Sequence, residues 1–487
     1  NVLEKATGTV APAQLSELQQ KPVLHDAVVD IDGMGGFVEQ ADGLRASIYS
    51  DAVPVRLLHR RKDAFLLPDD QHKAESFAAG SSGFPDAFER VDVAHGVNTV
   101  LGPVWSTHWL RVEVDEVPDT ARYVAAGEPV ELHLRWDSGC EAALWSHDGR
   151  LINSFCAINQ HDRRDYHVLW SSTSTKEPLK LPLVFFVEAA CNDLNGNSVG
   201  WVCGPPAPQQ DRVFRVTRCE VAVYHKATYA LCMDLLTLLD VATTLPETSQ
   251  CGRACLAVAN AMVNTAVVGD AASIAKARAI GARRVFAHNH NGSTVAAADG
   301  HDGHEEEEEE WELVHRVVAC GNCHIDTAWL WPYRETRRKF ARCCVAQLRN
   351  MERYPGHFFA VSQAQQLAWL REDYPALYDE VRAAVARGSV AVVGGTWVEM
   401  DCNLPSGESL LRQFVHGQRF FASELGAPAS IFWLPDTFGY AAQLPQIMSL
   451  CGVQRFLSQK LSWNQFNRFP HTTFVWRGLD GTGVVAH

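Results

Sequence analysis

From Val314 onward the chain alternates short apolar runs with longer amphipathic stretches, and this rhythm limits what it can fold into. Runs near 314–320, 357–362, 390–396, 430–435 and 455–460 read as strands. Segments near 334–351, 363–387, 407–425 and 441–451 carry apolar residues at helical spacing. Strand then helix, repeated, predicts a parallel α/β sheet or barrel whose strand ends gather on one rim. The first run, Val314, Val317, Val318 and Ala319, is expected to be a buried strand. It is followed by His324 and Asp326 and then by a helix with Phe340, Cys343, Cys344, Leu348 and Met351 on one face.

His324 and Asp326 lie two apart, so their side chains can converge where the backbone is extended or turning. An imidazole nitrogen with a carboxylate oxygen suits zinc. A His and an Asp after a strand can equally cap the next helix, and the pair alone does not decide between these readings. A further ligand is offered by Asp436 in SIFWLPDTFGYAAQLPQI, where another short apolar run ends before a Gly turn and a helix.

Together the motifs HxDxxW and WxPDxFGxxxxLPxI resemble those of the glycoside hydrolase family 38 α-mannosidases, in their cytosolic and vacuolar branch. The resemblance implies a zinc-dependent, retaining exo-α-mannosidase on a seven-stranded β/α barrel that removes terminal α-linked mannose from oligosaccharides. It implies that His324, Asp326 and Asp436 are zinc ligands, that Asp436 is also the nucleophile, and that Trp329 is the aromatic platform under the mannose ring. Lys460 falls where the family has a basic residue near the nucleophile. Asp401, after the GGTW turn, matches an acidic residue expected to face the pocket, contacting sugar or orienting a zinc ligand; capping the following helix is an equal alternative. Glu399 is a weaker candidate. The family's fourth zinc ligand, a His, and its general acid are expected beyond residue 487. The chain is therefore expected to be a fragment that holds zinc weakly and does not turn over substrate. Two other readings stay open: another zinc-dependent carbohydrate hydrolase such as a deacetylase, and a non-catalytic sugar-binding member of the fold.

Upstream, the organisation is expected to be a mixed segment at 1–85, a β-sandwich at 86–226, a helical linker at 227–286, an acidic low-complexity insertion at 287–311, and the catalytic α/β region at 312–487. The sandwich is read from WSTHWLRVEV, VELHLRW, EAALWSHDGRLI and FRVTRCEVAVYH, which alternate apolar with polar, with a hairpin turn at His147, Asp148 and Gly149. The stretches WSTHWLRV, WDSGCEAALW and ACNDLNGN also resemble the domain before the barrel in the same family. Trp136 and Trp145 read as core rather than as sugar platforms. Asn192, Asp193, Asn195 and Asn197 read as a polar turn rather than a calcium loop.

The helical linker is expected to be a pair of helices, with Cys251 and Cys255 in its core. Cys320 and Cys323 form a CxxC read as structural, with Cys320 on the buried strand. The insertion, with its His residues, six consecutive Glu and the sequon at Asn291, is read as solvated and without a specific metal site. A net charge of −14 with no offsetting basic stretch excludes a nucleic-acid surface. No run of about 18 apolar residues reads as a bilayer span. Fourteen Cys scattered over 487 residues fit reduced thiols in a cytosolic or similar compartment, and the family resemblance implies a cytoplasmic or vacuolar location. A homo-oligomer remains open.

Overall fold

The computed structural model describes residues 43–62, 89–90, 99–104, 106–156, 166–174, 179–192, 213–246, 248–284, 318–329 and 331–487. The acidic insertion, its sequon, and the loop beyond Asn192 lie outside the described residues.

Twelve strands build the first part: β1 (Tyr49–Pro54), β2 (Arg56–Lys62), β3 (Glu89–Arg90), β4 (Val100–Leu101), β5 (Thr107–Val114), β6 (Val130–Asp137), β7 (Glu141–Ser146), β8 (Leu151–Phe155), β9 (Tyr166–Ser171), β10 (Leu183–Ala190), β11 (Phe214–Arg215) and β12 (Arg218–His225). They form an antiparallel four-stranded sheet, β1-β12-β6-β9, and a six-stranded sheet, β3-β2-β5-β10-β7-β8, with β4 and β11 paired separately. Alternation explains the layering. In β5, Leu110, Val112 and Val114 point inward, while β6 supplies Leu132, Leu134 and Trp136 and β12 supplies Cys219, Val221 and Val223 to the same core. Strands at 49–62 pair into both sheets, in a stretch whose sequence periodicity is weak.

Trp136 and Trp145 are buried, with indole nitrogens donating to Ser138 and Glu188. They are core residues, as read from the sequence. The outer face of the six-stranded sheet is not free either. Ala143, Trp145 and Phe186 on that face pack against Phe340, Cys344 and Leu348 of the catalytic region.

Three helices follow rather than two: α1 (Lys226–Thr244), α2 (Gln250–Thr265) and α3 (Ala271–Arg284). Ser249 caps α2 by accepting from the Gly252 N–H. Leu231, Leu235 and Leu238 pack against Cys255, Val258 and Met262. Cys251, expected in this core, is exposed: it lies in the first turn of α2, where Gly252 rather than Cys251 is the buried residue. The helix α1 is long and apolar enough to cross a membrane by length and composition, but its apolar stripe is packed on α2 and α3.

The catalytic region comprises β13 (Gly321–Asn322), α4 (Tyr333–Arg353), β14 (Phe359–Gln363), α5 (Ala364–Asp373), α6 (Pro375–Ala386), β15 (Val390–Thr396), α7 (Gly407–Leu425), β16 (Ile431–Trp433), α8 (Leu444–Leu450), β17 (Arg455–Leu457), β18 (Phe474–Arg477) and β19 (Gly483–Ala486). The sheet β13-β14-β15 is parallel; in β16-β17-β19-β18 only the β18–β19 pairing is antiparallel. The predicted helix at 363–387 is two helices, broken where Pro375 opens α6.

The buried strand expected at 314–320 is also corrected. Val318 is 81% exposed, and Val314 and Val317 lie outside the described residues. Pairing starts at Gly321 opposite Phe359, the first residue of β14, and the described residues just before it, 318–320, are not in a strand. Cys320 is accordingly exposed, not buried.

Helix α4 ties the two parts together through charge as well as apolar contact. Lys339 and Arg342 reach Glu141 of β7 at 2.6 and 2.8 Å, Arg338 reaches Glu188 of β10 at 2.9 Å, and Arg342 also pairs with Glu335 within α4. Burial alone would raise the Glu335 carboxyl, but Arg342, Arg338 and Lys339 outweigh it and hold it down at about 2. At the far end of α4, Arg353 lies 3.0 Å from Glu131.

Removing one member of such a network strands the others, so Glu335→Gln is expected to cost about 3–5 kcal/mol in urea unfolding, whereas Glu408→Gln, at an exposed position of α7, should be near neutral. The sign in acid is set by the depressed carboxyl. Its contribution is complete above its ordinary value of 4.5 and is lost as pH falls through about 2, so the unfolding temperature should drop across that window and less so in Glu335→Gln.

Candidate active site

The parallel strands end on one side of the sheets, and consecutive strand ends carry polar side chains. His324 and Asp326 follow β13, Ser362 and Gln363 end β14, Glu399 follows β15, Asp436 follows β16, and Lys460 follows β17.

The turn holding His324 and Asp326 is clamped from below. Buried Gln363 and Gln366 donate to the Ile325 carbonyl at 2.9 and 2.7 Å, and Thr327 donates to Gln363 Oε1 at 2.7 Å. Thr336, in the first turn of α4, donates to the Thr327 carbonyl at 2.8 Å. The turn is thus fixed by β14, α5 and α4 at once.

Glu399 arrives by a different device. Val361 and Gln363 of β14 pair with Val392 and Thr396 of β15, so β15 carries extra residues at Gly394 and Gly395, both at positive φ. This bulge bends the strand end and re-aims the residues after it. A Cβ on Gly394 would stand 2.1 Å from the Ser362 carbonyl oxygen.

The side chains then converge on His324. Its Nε2 lies 3.4 Å from Asp326 Oδ1 and 3.9 Å from Asp436 Oδ2, while Nδ1 lies 2.7 Å from Glu399 Oε2. Lys460 Nζ holds Asp436 Oδ1 at 2.6 Å, leaving Oδ2 toward the imidazole. Burial opposes a charged imidazole here, yet Asp326 and Glu399 outweigh burial and push His324 up to about 10. Both ring nitrogens are buried, and neither has an aligned hydrogen-bond partner among the described residues.

These residues fit a zinc ion by their chemistry. A neutral imidazole nitrogen and two carboxylates are zinc donors, and donors on a tetrahedral ion with bonds near 2.1 Å stand roughly 3.4 Å apart. The His324–Asp326 separation of 3.4 Å matches that edge, while His324–Asp436 at 3.9 Å is wider. As the side chains stand, no group of three among the described residues is already drawn to metal-holding spacing. The orphaned Nε2 between two carboxylates is the feature an ion would satisfy.

Trp329 is 42% exposed beside this cluster in sequence and packs edge-on against Trp331, with ring centroids 5.2 Å apart. Lys460 also sits over the Trp463 ring at 3.8 Å. Asp401 behaves differently from the rest. Its Oδ1 accepts from the backbone N–H groups of Asn403 and Leu404 at 2.8 and 3.3 Å, closing a local turn, while the cap of α7 is Ser406. The helix-capping alternative for Asp401 is therefore not what forms.

Sequence reasoning missed Ser362, Gln363 and Gln366 and underrated Glu399. The available signal was the polar Ser-Gln pair closing an otherwise apolar strand.

Comparison with known proteins agrees with this layout. Residues 314–487 match the glycosyl hydrolases family 38 N-terminal domain, and residues 76–222 match the alpha-mannosidase jelly roll domain. The chain belongs to glycosyl hydrolase family 38. It is 40% identical to "Alpha-mannosidase 2C1" of Homo sapiens over 91% of this chain. It is 38% identical to "Alpha-mannosidase" of Saccharomyces cerevisiae and 37% identical to "Alpha-mannosidase G" of Dictyostelium discoideum, each over 80% of this chain. The chain spans 38%, 34% and 32% of the length of these three relatives. The sandwich of this family 38 chain is thus its jelly roll domain, and the parallel strands that lead to His324 and Asp436 lie in its family 38 N-terminal domain.

The bulge gives a direct check. Gly394→Ala combines a left-handed backbone with a backbone clash at Ser362, and is expected to cost about 3 kcal/mol or more, read by chemical denaturation. Gly388→Ala, also at positive φ but with open space around its Cβ, should cost about 1–2 kcal/mol.

Proposed function

We propose that the whole protein is a zinc-dependent, retaining exo-α-mannosidase that removes terminal α-linked mannose from oligosaccharides. The observation that carries this reading is the convergence of His324, Asp326 and Asp436 at the strand ends of a family 38 catalytic domain. Their roles follow from that position: His324 Nε2, Asp326 and Asp436 hold the ion, and Asp436 is the nucleophile. A bound zinc ion would supply charge that fixes the vicinal C2 and C3 hydroxyls of mannose.

The chain's own groups supply the rest. Lys460 fixes one oxygen of Asp436 and so orients the carboxylate. In a retaining reaction the Asp436 oxygen forms a bond to the anomeric carbon while the glycosidic bond breaks, and water later displaces the carboxylate. A second carboxylic acid gives the leaving oxygen its proton. Trp329, exposed, offers a flat apolar face for the sugar ring, and Asp401, with Oδ1 spent on its own turn, is left its other carboxylate oxygen for a sugar hydroxyl. Residence in the cytoplasm or vacuole belongs to the same proposal.

An aryl α-mannoside assayed with the whole protein tests this. Activity should be lost on chelation and restored by zinc, and Asp436→Asn should lower kcat/KM by about 10³-fold or more. Deacetylation without glycoside cleavage, or sugar binding without reaction, would replace the proposal.

A further inference from the structure

The family motifs account for one edge of the His324 ring. They leave the other edge, and the buried acid that meets it, without a role. Nε2 faces Asp326 and Asp436, while Nδ1 faces Glu399 at 2.7 Å. The Glu399 side chain is only 3% exposed, and its second oxygen accepts from the Ser362 hydroxyl at 2.7 Å. A carboxylate this deep is costly to keep unless something uses it.

Glu399 is placed neither to ligate the same ion nor to act as the acid. It meets the nitrogen opposite the one that faces the two aspartates, and its oxygens are directed to His324 and Ser362 rather than toward the more exposed Asp436. Its backbone is pinned as well, since the Glu399 N–H donates to Gln363 Oε1 at 3.1 Å, the same oxygen that receives the Thr327 hydroxyl. The turn with His324 and the strand end with Glu399 therefore share one anchor.

We propose that Glu399, held by Ser362, is the positioning residue for His324: it accepts from Nδ1–H, so that the proton stays on Nδ1, the ring is fixed with the Nε2 lone pair free, and that nitrogen is more basic toward a divalent metal. This inference rests on the zinc reading above and extends it to the residue behind the ligand. Carboxylates behind metal-bound imidazoles act in this way in general, and their loss weakens metal binding by about 10–100-fold.

The test uses the whole protein, stripped of metal and titrated with zinc alone against a chromogenic chelator. Glu399→Gln, which keeps the shape, is expected to weaken zinc by about 10-fold or more, and Ser362→Ala by less. The cobalt-substituted protein gives a second readout, with its visible absorption band shifted in Glu399→Gln. Unfolding temperatures show whether each variant is folded; should Glu399→Gln fail to fold, Glu399→Asp and Ser362→Ala carry the same two readouts. Zinc affinity and cobalt spectrum unchanged in folded variants would overturn the proposal while leaving the zinc reading intact. If the unaltered protein binds no zinc, or binds it equally well after His324→Ala, the zinc reading itself fails and Glu399 has no ligand to position.

Discussion

Three carboxylates crowd one imidazole at the strand ends, and this concentration of negative charge is the condition around which the catalytic region is built. Asp326, Asp436 and Glu399 all lie within 4 Å of a His324 nitrogen. Like charges so close repel unless positive charge stands among them. Lys460 answers for one oxygen of Asp436, and the imidazole for the rest, either by holding a proton or by sharing a cation. The surrounding structure keeps these groups together through the paired Gln residues under the turn, the Gly394–Gly395 bulge, and the hydroxyl of Ser362.

The sandwich contributes by holding α4. That helix starts at Tyr333, just after the turn with His324 and Asp326, and its Thr336 bonds back to Thr327. Apolar packing from Phe340 and Leu348, together with the buried pairs to Glu141 and Glu188, seats α4 on the outer face of the six-stranded sheet. Buried ion pairs add little net stability over apolar packing, but they are specific in geometry. The jelly roll domain thus fixes the helix whose first turn fixes the turn of His324 and Asp326.

Much of this was legible in the residues. The strand and helix rhythm after β13 gave β14, β15 and α7 nearly to the residue, because their apolar periodicity is strong, and the two long motifs led to His324, Asp326 and Asp436. What was hidden depended on distant partners. Val318 to Cys320 looked like the end of a strand by composition, but pairing begins only at Gly321, opposite Phe359. The strands at 49–62 carry weak alternation and are strands because β5 and β12 pair with them. Glu399 could not be ranked above Asp401 from sequence, since the two differ only in where a double-glycine bulge points them.

The most direct test of a shared cation is anomalous diffraction at the zinc edge from crystals of the whole protein. The account predicts one strong peak within bonding distance of His324 Nε2 and of the Asp326 and Asp436 carboxylates, with Glu399 on the far side of the ring. A peak elsewhere, or His324 hydrogen-bonded to those aspartates with no anomalous scatterer between them in zinc-supplemented crystals, would contradict it.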